Sequence, residues 1–272
     1  MRTAEEKLEK LKEIIKELES VVIAFSGGCD SSLLAKIAYD VLGDRAIAVT
    51  ANSELYADSE VKDSKKIAAD IGIKHEIISS GELEVPDFRD NPPDRCYFCK
   101  KELFSELLEI AKKRHFKYVL DGSNFDDGDD YRPGMKAGRE LNIRSPLREA
   151  GLTKNEIRQL SREFCLYTAD KPAMVCLASR FPYGTAIREE DLNRVQKSEQ
   201  FLRDLGFTQL RVRHHGNIAR IEILPQDIES LFRNDFREKI LEEFKKLGYK
   251  YVTIDLEGYR TGSMNEVLKS RR

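Results

Sequence analysis

At 272 residues, 40% apolar and 35% charged, the chain is long enough for one large or two modest soluble domains. A net charge of −2 excludes an overall basic field that would draw it to nucleic acid. Five cysteines, an odd number, exclude a complete disulfide framework, and no apolar run approaches the roughly 20 residues of a membrane span.

The opening segment MRTAEEKLEKLKEIIKELES lacks the apolar core of a signal peptide, so the expectation is a cytoplasmic protein with reduced thiols. Within it Leu8, Leu11, Ile14, Ile15 and Leu18 recur at helical spacing, which predicts a helix over 4–19. VVIAF (21–25) reads as a strand buried on both faces. A Gly-rich turn and the helix SLLAKIAYDVLG follow. AIAVTA (46–51) is a second strand, SEVKDSKKIAADIG a helix, and HEIIS a third strand. CKKELFSELLEIAKKRHF is a helix, YVLDG (118–122) a fourth strand, and SPL (145–147) a fifth short strand. TKNEIRQLSREFC opens on a Thr153–Glu156 capping box. This alternation predicts an α/β fold, a doubly wound parallel sheet with helices on both faces, over residues 1–184. Beyond it, residues 185–272 read helix, two alternating strands, a long helix over 227–248 and a last strand, YVTIDL. They predict a smaller C-terminal α/β domain.

The stretch FSGGCDSS (25–32) lies between the first strand and its helix. Gly27 and Gly28 permit a tight turn and close approach of a ligand to backbone. The helix supplies unpaired N–H groups and the positive end of its dipole. Ser26, Ser31 and Ser32 add hydroxyls, and Asp30 suits a metal ion such as Mg2+ held with phosphate. The pattern fits a polyphosphate. It is neither a Walker A loop, since no Lys follows the second Gly, nor the G-x-G-x-x-G dinucleotide fingerprint. The bland alternative is a Gly-rich connection with a serine cap.

SGGCDSS resembles the PP-loop of the N-type ATP pyrophosphatases. The resemblance implies an adenine nucleotide α-hydrolase-like fold that binds ATP and releases pyrophosphate, leaving AMP on a substrate oxygen. Ala51, at the end of the second strand, and Gly122 and Ser123, at the end of the fourth, are then expected to line the ATP site. DKPAMVCLASRFPYGTAI (170–187), together with NPPDRCYFCKKELF, DGSNFDD, RSPL and LRVRHHGNIARIEI, is similar to the LarE family of sulfur insertases, nearly end to end. That family makes the organic part of a nickel-pincer cofactor. The resemblance implies a pyridinium dicarboxylate mononucleotide as substrate, with each carboxylate adenylated and replaced by a thiocarboxylate. It also implies a homo-oligomer and a supply of sulfide or another sulfur donor.

The sulfur source turns on three thiols. In the sacrificial branch of the family, the cysteine matching Cys176 gives up its own sulfur. In the iron–sulfur branch, three thiolates hold a 4Fe–4S cluster with one iron open to sulfide. Cys96, Cys99 and Cys176 are read as such ligands, because three thiolates are one short of four-coordinate zinc. A reduced CxxC beside an independent Cys176, or zinc completed by His or water, are the alternatives. Cys29 is the variable residue of the loop, and Cys165 is expected as core on a helix.

Lys101, just after the CxxC, is a candidate for the substrate phosphate. Ser179, Arg180, Arg211 and Arg213 form an expected anion clamp, Arg211 and Arg213 sharing one face of a strand. Glu199 and Glu222 either hold a divalent cation, as the resemblance implies, or neutralise those arginines. Arg260, in EGYRTGSMN, is a weaker candidate of the same kind. His214 and His215 alternate faces and are left out of the site. The acidic loop DGSNFDDGDDYRPG lacks the bidentate Glu of a calcium hand and is expected to flank the substrate entrance. A tRNA thiolation enzyme shares the loop and the three thiols. The acidic net charge and the lack of an RNA-binding module speak against it. A nucleotide-binding redox sensor is the non-enzymatic alternative.

Overall fold

The computed structural model describes residues 3–56, 58–129, 133–172, 175–233, 235–260 and 262–266. The chain divides into two compact units, one of residues 1–88 and 94–174, the other of 89–93 and 175–272. The division falls at 175, ahead of the change in sequence texture. Two features place it there: Arg180 is buried on Glu199, and Gly184 and Ile187 donate backbone hydrogen bonds to Asn91 and Arg89.

The first unit runs α1 (Ala4–Leu18), β1 (Val21–Ala24), α2 (Cys29–Leu42), β2 (Ala46–Asn52), α3 (Asp58–Ile71) and β3 (Lys74–Ser79). It continues through α4 (Pro86–Arg89), whose last residue falls in the second unit, α5 (Arg95–Lys113), β4 (Tyr118–Leu120), α6 (Pro133–Glu140), α7 (Pro146–Ala150) and α8 (Lys154–Glu163). The four strands are parallel, in the order β3-β2-β1-β4. β1 is buried on both faces, as its unbroken apolar run predicts. Val21 and Ile23 face a core with Leu11 and Ile15 of α1 and Leu33 and Ile37 of α2, while Val22 faces Leu103, Phe104 and Leu107 of α5. The chain moves outward from β1 through β2 to β3, then returns to the other side of β1 as β4. That reversal opens a crevice at the C-terminal ends of β1 and β4, the place where such sheets bind ligands.

Several expectations are corrected. SPL is not a strand: Arg144 makes a single bridge to Leu120, and Pro146 then opens α7, where its missing N–H costs nothing. α5 begins at Arg95, so both Cys96 and Cys99 lie inside the helix. Cys165 is not core. It lies past the end of α8, exposed, with φ +54°.

The second unit holds α9 (Glu189–Asp204), β5 (Leu210–His215), β6 (Ile218–Ile223), α10 (Phe236–Lys246) and β7 (Tyr251–Ile254). The expected single helix over 227–248 is instead a 3-10 stretch, Pro225–Phe232, followed by α10. Its sheet is mixed: β5 and β6 are antiparallel, and β7 returns parallel to β6. Among the described residues no helix is long and apolar enough to cross a membrane.

Candidate active site

In the first unit the chain leaves β1, turns through Phe25–Gly28 and enters α2 with Gly28 as its cap. Gly27 has φ +68°, and a Cβ there would lie 3.2 Å from both Ser64 Cα and Ile67 Cδ1. Gly122, two residues past β4, is the matching close approach: its Cβ would lie 3.2 Å from the Ser31 backbone nitrogen. Gly27 thus packs the turn against α3, while Gly122 brings the end of β4 onto the start of α2. Gly28 provides no side-chain cap, which leaves the helix's first N–H groups for a ligand. Ser26 Oγ accepts from the Gly28 N–H at 3.3 Å and lies 3.2 Å from Ser31 Oγ, which donates to the Gly28 carbonyl at 3.2 Å. Ser32 is wholly buried and turned inward. Ala51 is the next-to-last residue of β2, at the same end of the sheet, and Ser123 donates to Asp121 through both its N–H and its Oγ.

Asp30, the second residue of α2, has both carboxylate oxygens engaged. Oδ1 accepts from Asn124 Nδ2 at 3.2 Å, and Oδ2 is paired with Lys154 Nζ. Lys171 approaches the loop from another side, donating to Asp63 Oδ2 at 2.8 Å with its Nζ 3.5 Å from the Gly27 carbonyl oxygen. The loop carries no lysine, yet two ammonium groups from distant sequence attend it. Sequence reading missed Asn124, Lys154 and Lys171. The only signal for Lys154 was its place just inside the Thr153 capping box, which explains a helix start equally well. Of the acidic loop, residues 130–132 lie outside the described residues; Asp126 accepts the Lys154 N–H at 2.8 Å and Asp127 accepts that of Asn124 at 2.9 Å.

On α5, Cys96 and Cys99 lie near the helix start three residues apart, hence on one face, the former exposed and the latter half-buried. None of the five cysteines is in a disulfide. Cys29 is buried with Sγ 3.5 Å from Ser161 Oγ. Lys101 is exposed, its ammonium 5.7 Å from the Tyr97 ring centroid. Cys176, half-buried, belongs to the second unit. Among the described residues no three His, Cys, Asp or Glu side chains are gathered as metal ligands.

The second unit brings the expected clamp together with the two glutamates. Arg180 forks onto Glu199 at 2.8 and 2.9 Å, and its Nη1 donates to the carbonyls of Val175 and Cys176 and to Ser179 Oγ. Glu199 also accepts from Arg203 and from the Val212 N–H. Burial alone would raise the Glu199 carboxyl, but Arg180, Arg211 and Arg203 outweigh it and hold it below its ordinary value. Arg213 donates to Glu222 at 2.7 Å, to Ser263 Oγ and to the Ser179 carbonyl, while Arg220 pairs with the other Glu222 oxygen. Arg260 is engaged by Asp255, Glu257 and Glu266. Arg211 differs. It donates to the Leu210 carbonyl, lies 5.2 Å from the Tyr259 ring centroid, and among the described residues has no ion pair. Burial, then Arg180, lowers its pKa from the ordinary guanidinium value. It is the guanidinium of the set without a carboxylate in direct contact among the described residues, although Glu199 acts on it through space.

Three comparisons bear on this geometry. The NAD synthase family model matches residues 4–85, the segment that holds β1, the loop and β2. The chain is 46% identical over 264 residues to an uncharacterised protein of Synechocystis sp., covering 97% of this chain and 98% of that one. It is 40% identical over 269 residues to the pyridinium-3,5-bisthiocarboxylic acid mononucleotide synthase of Lactiplantibacillus plantarum, covering 98% and 97%. An uncharacterised protein of Methanocaldococcus jannaschii is 33% identical over 260 residues, covering 94% and 98%.

Proposed function

Because the chain belongs to the pyridinium-3,5-bisthiocarboxylic acid mononucleotide synthase (LarE) family of ATP-dependent sulfur transferases, we propose that it adenylates the carboxylates of a pyridinium dicarboxylate mononucleotide and replaces them with thiocarboxylates. The observation that carries this reading is the loop: an uncapped helix start, two close-approach glycines and a carboxylate at one strand-end crevice, in a chain matched along its whole length. ATP's polyphosphate lies over the N–H groups of α2, flanked by Ser26, Gly27, Gly28, Ser31, Gly122 and Ser123. Asp30, a hard oxygen donor beside that position, would hold a Mg2+ ion, which would neutralise charge on the leaving pyrophosphate. Arg211 is the direct contact to the substrate's own phosphate. Arg180 and Arg213 hold its surroundings through Glu199, Glu222 and Ser179, so those glutamates act here as counter-charges.

Cys96, Cys99 and Cys176 are proposed to hold a 4Fe–4S cluster, which would supply sulfide to the activated acyl carbon. The pairing of Cys96 and Cys99 on one helical face supports it, since a lone sacrificial Cys176 would leave that pair without a role. The protein is further proposed to act in the cytoplasm as a homo-oligomer. Two measurements test the whole. Pyrophosphate release from ATP should require the dicarboxylate mononucleotide and not tRNA; release driven by tRNA instead would redirect the function to tRNA thiolation. Anaerobically purified protein should contain iron and sulfide that fall together in Cys96→Ala, Cys99→Ala and Cys176→Ala. A single transfer per chain with a loss of about 34 Da, the mass of the hydrogen sulfide leaving a cysteine, would assign the sulfur to Cys176 alone.

A further inference from the structure

We propose that Thr50, braced by His75, is a positioning residue for the ATP loop: it holds the Phe25–Ser26 peptide with its N–H turned toward the phosphates. The proposal rests on the reading that the loop binds a polyphosphate. Its basis is a hydrogen-bonded chain that runs from β3 through β2 to the residue that follows β1. Thr50, buried on β2, donates its hydroxyl hydrogen to the Phe25 carbonyl at 2.7 Å. His75 Nε2, on β3, lies 2.8 Å from the same hydroxyl oxygen. That hydroxyl has one hydrogen and spends it on Phe25, so the contact with His75 is an N–H donated to Thr50. Burial, then Lys65, lowers the His75 pKa against the opposing pull of Glu76. The ring is therefore neutral near pH 7, with its single N–H on Nε2. It also packs edge-on to the Phe25 ring, the centroids 5.6 Å apart.

Both backbone polar groups of Phe25 are thereby tied to β2, since its N–H donates to the Val49 carbonyl at 2.8 Å. Covalent geometry carries this one atom group further. A trans peptide points its C=O and its N–H in opposite directions, and no peptide among the described residues is cis. With the Phe25 carbonyl drawn to Thr50, the Ser26 N–H is turned away from it and toward the start of α2, where it donates to Ser31 Oγ at 3.3 Å. That contact is long for a hydrogen bond of its kind, and Ser26 is exposed, so a phosphate oxygen can take the donor over. The turn thus contributes a donor in addition to those of the helix start.

Without the Thr50 hydroxyl, the same peptide is free to turn over through compensating changes in Phe25 ψ and Ser26 φ, with no strand displaced. It would then present a carbonyl dipole to the ligand, which repels an anion where the N–H attracts it. His75 matters because it occupies a lone pair of the Thr50 oxygen, which keeps the hydroxyl hydrogen on Phe25 rather than rotating elsewhere. Neither side chain belongs to the loop motif. Both act through Phe25 and Ser26, one on each of the two strands beside β1.

Calorimetry on the full-length protein with MgATP and magnesium pyrophosphate, and displacement of MgATP by adenosine, test this. Thr50→Val keeps the shape and removes the hydroxyl. It should weaken both phosphate ligands by about tenfold, most of the worth of one charge-assisted hydrogen bond, and leave adenosine, which has no phosphate, within about twofold. Thr50→Ser restores the hydroxyl and should recover most of the loss, although it lacks the methyl that packing would need. His75→Phe keeps a ring beside Phe25 and removes the N–H, and should fall between at about threefold. Pyrophosphate bound by Thr50→Val as tightly as by wild type overturns the proposal. So does an equal loss of adenosine, which reports general damage to the site, or a Thr50→Ser protein no better than Thr50→Val. Should Thr50→Val not fold, the other two variants decide: His75→Phe at wild-type affinity for pyrophosphate sinks the idea. If the wild-type protein binds neither phosphate ligand, the polyphosphate reading of the loop fails first and takes this proposal with it.

Discussion

The ion pairs Lys154–Asp30 in the first unit and Arg180–Glu199 in the second join opposite charges with short contacts, yet they do different work. The first is 31% and 24% exposed, while the second is 4% and 1% exposed and its glutamate takes four donors. A water-accessible pair contributes little to stability and can trade partners. A buried, saturated pair cannot trade without leaving a charge stranded, so it fixes geometry instead. The loop's pair is therefore free to exchange partners, whereas the second unit locks its charges and, among the described residues, leaves Arg211 without an ion pair.

The largest expected effect breaks the locked side. Arg180→Ala removes the bidentate partner of buried Glu199, leaving it only Arg203 and the Val212 N–H, and should cost about 3 kcal/mol in urea denaturation. Arg180→Met combined with Glu199→Leu removes both charges and should recover most of that loss. A single variant within about 1 kcal/mol of wild type would show that the pair is not structural.

On the exchangeable side the pattern should invert. Asp30→Ala should abolish pyrophosphate release while changing stability by no more than about 1 kcal/mol. Pyrophosphate release at the wild-type rate would move the ATP site elsewhere. Arg211→Ala is intermediate: it should weaken the substrate mononucleotide by about tenfold or more and leave ATP affinity unchanged, at a smaller stability cost than Arg180→Ala. Equal loss of both ligands would remove Arg211 from the substrate site.

This contrast was only half legible in the sequence. The loop could be read because its residues are contiguous and its strand–Gly-Gly–helix context is local. Gly122 could be read because strand ends in such sheets gather at one crevice. Lys154 could not: it is separated from Asp30 by most of the first unit, and its position inside a capping box already had a sufficient local explanation. The arginines were legible as a cluster of charge, but pattern does not say which charge finds a partner. Arg211 and Arg213 share a face of β5, yet Glu222 and Ser263 engage Arg213 and leave Arg211 to the Tyr259 ring. Likewise Ser-Pro-Leu has the apolar look of a short strand, and only the packing of Leu147 into the core beside α1 makes it a helical turn.

The smallest effect separates the two kinds of charge by pH. Glu199 titrates below its unfolded value of 4.5, so its contribution is complete above that pH and fades only as pH falls further. Nothing from this pair should change between pH 7.5 and 5.5. His214, by contrast, does change within that window. It is buried against Phe181 and Tyr249, and burial, then Arg194 and His215, lowers its pKa against the opposing pull of Asp191. Its unfolded form binds a proton near 6.5 while the folded form resists it, so stability is full above 6.5 and falls as pH drops through it. Its one proton contributes a slope of at most about 1.4 kcal/mol per pH unit, and His75 and His215, also lowered by burial, add to the wild-type decline in the same direction. Urea midpoints measured from pH 7.5 to 5.5 should therefore decline for wild type and decline less for His214→Gln, which cannot take the proton. The Arg180→Met, Glu199→Leu protein should keep the wild-type slope across that range and lose only the further drop below 4.5. If that double variant instead flattens the curve between 7.5 and 5.5, the buried pair titrates where a saturated carboxylate should not, and the distinction between locked and exchangeable charge fails at its best example.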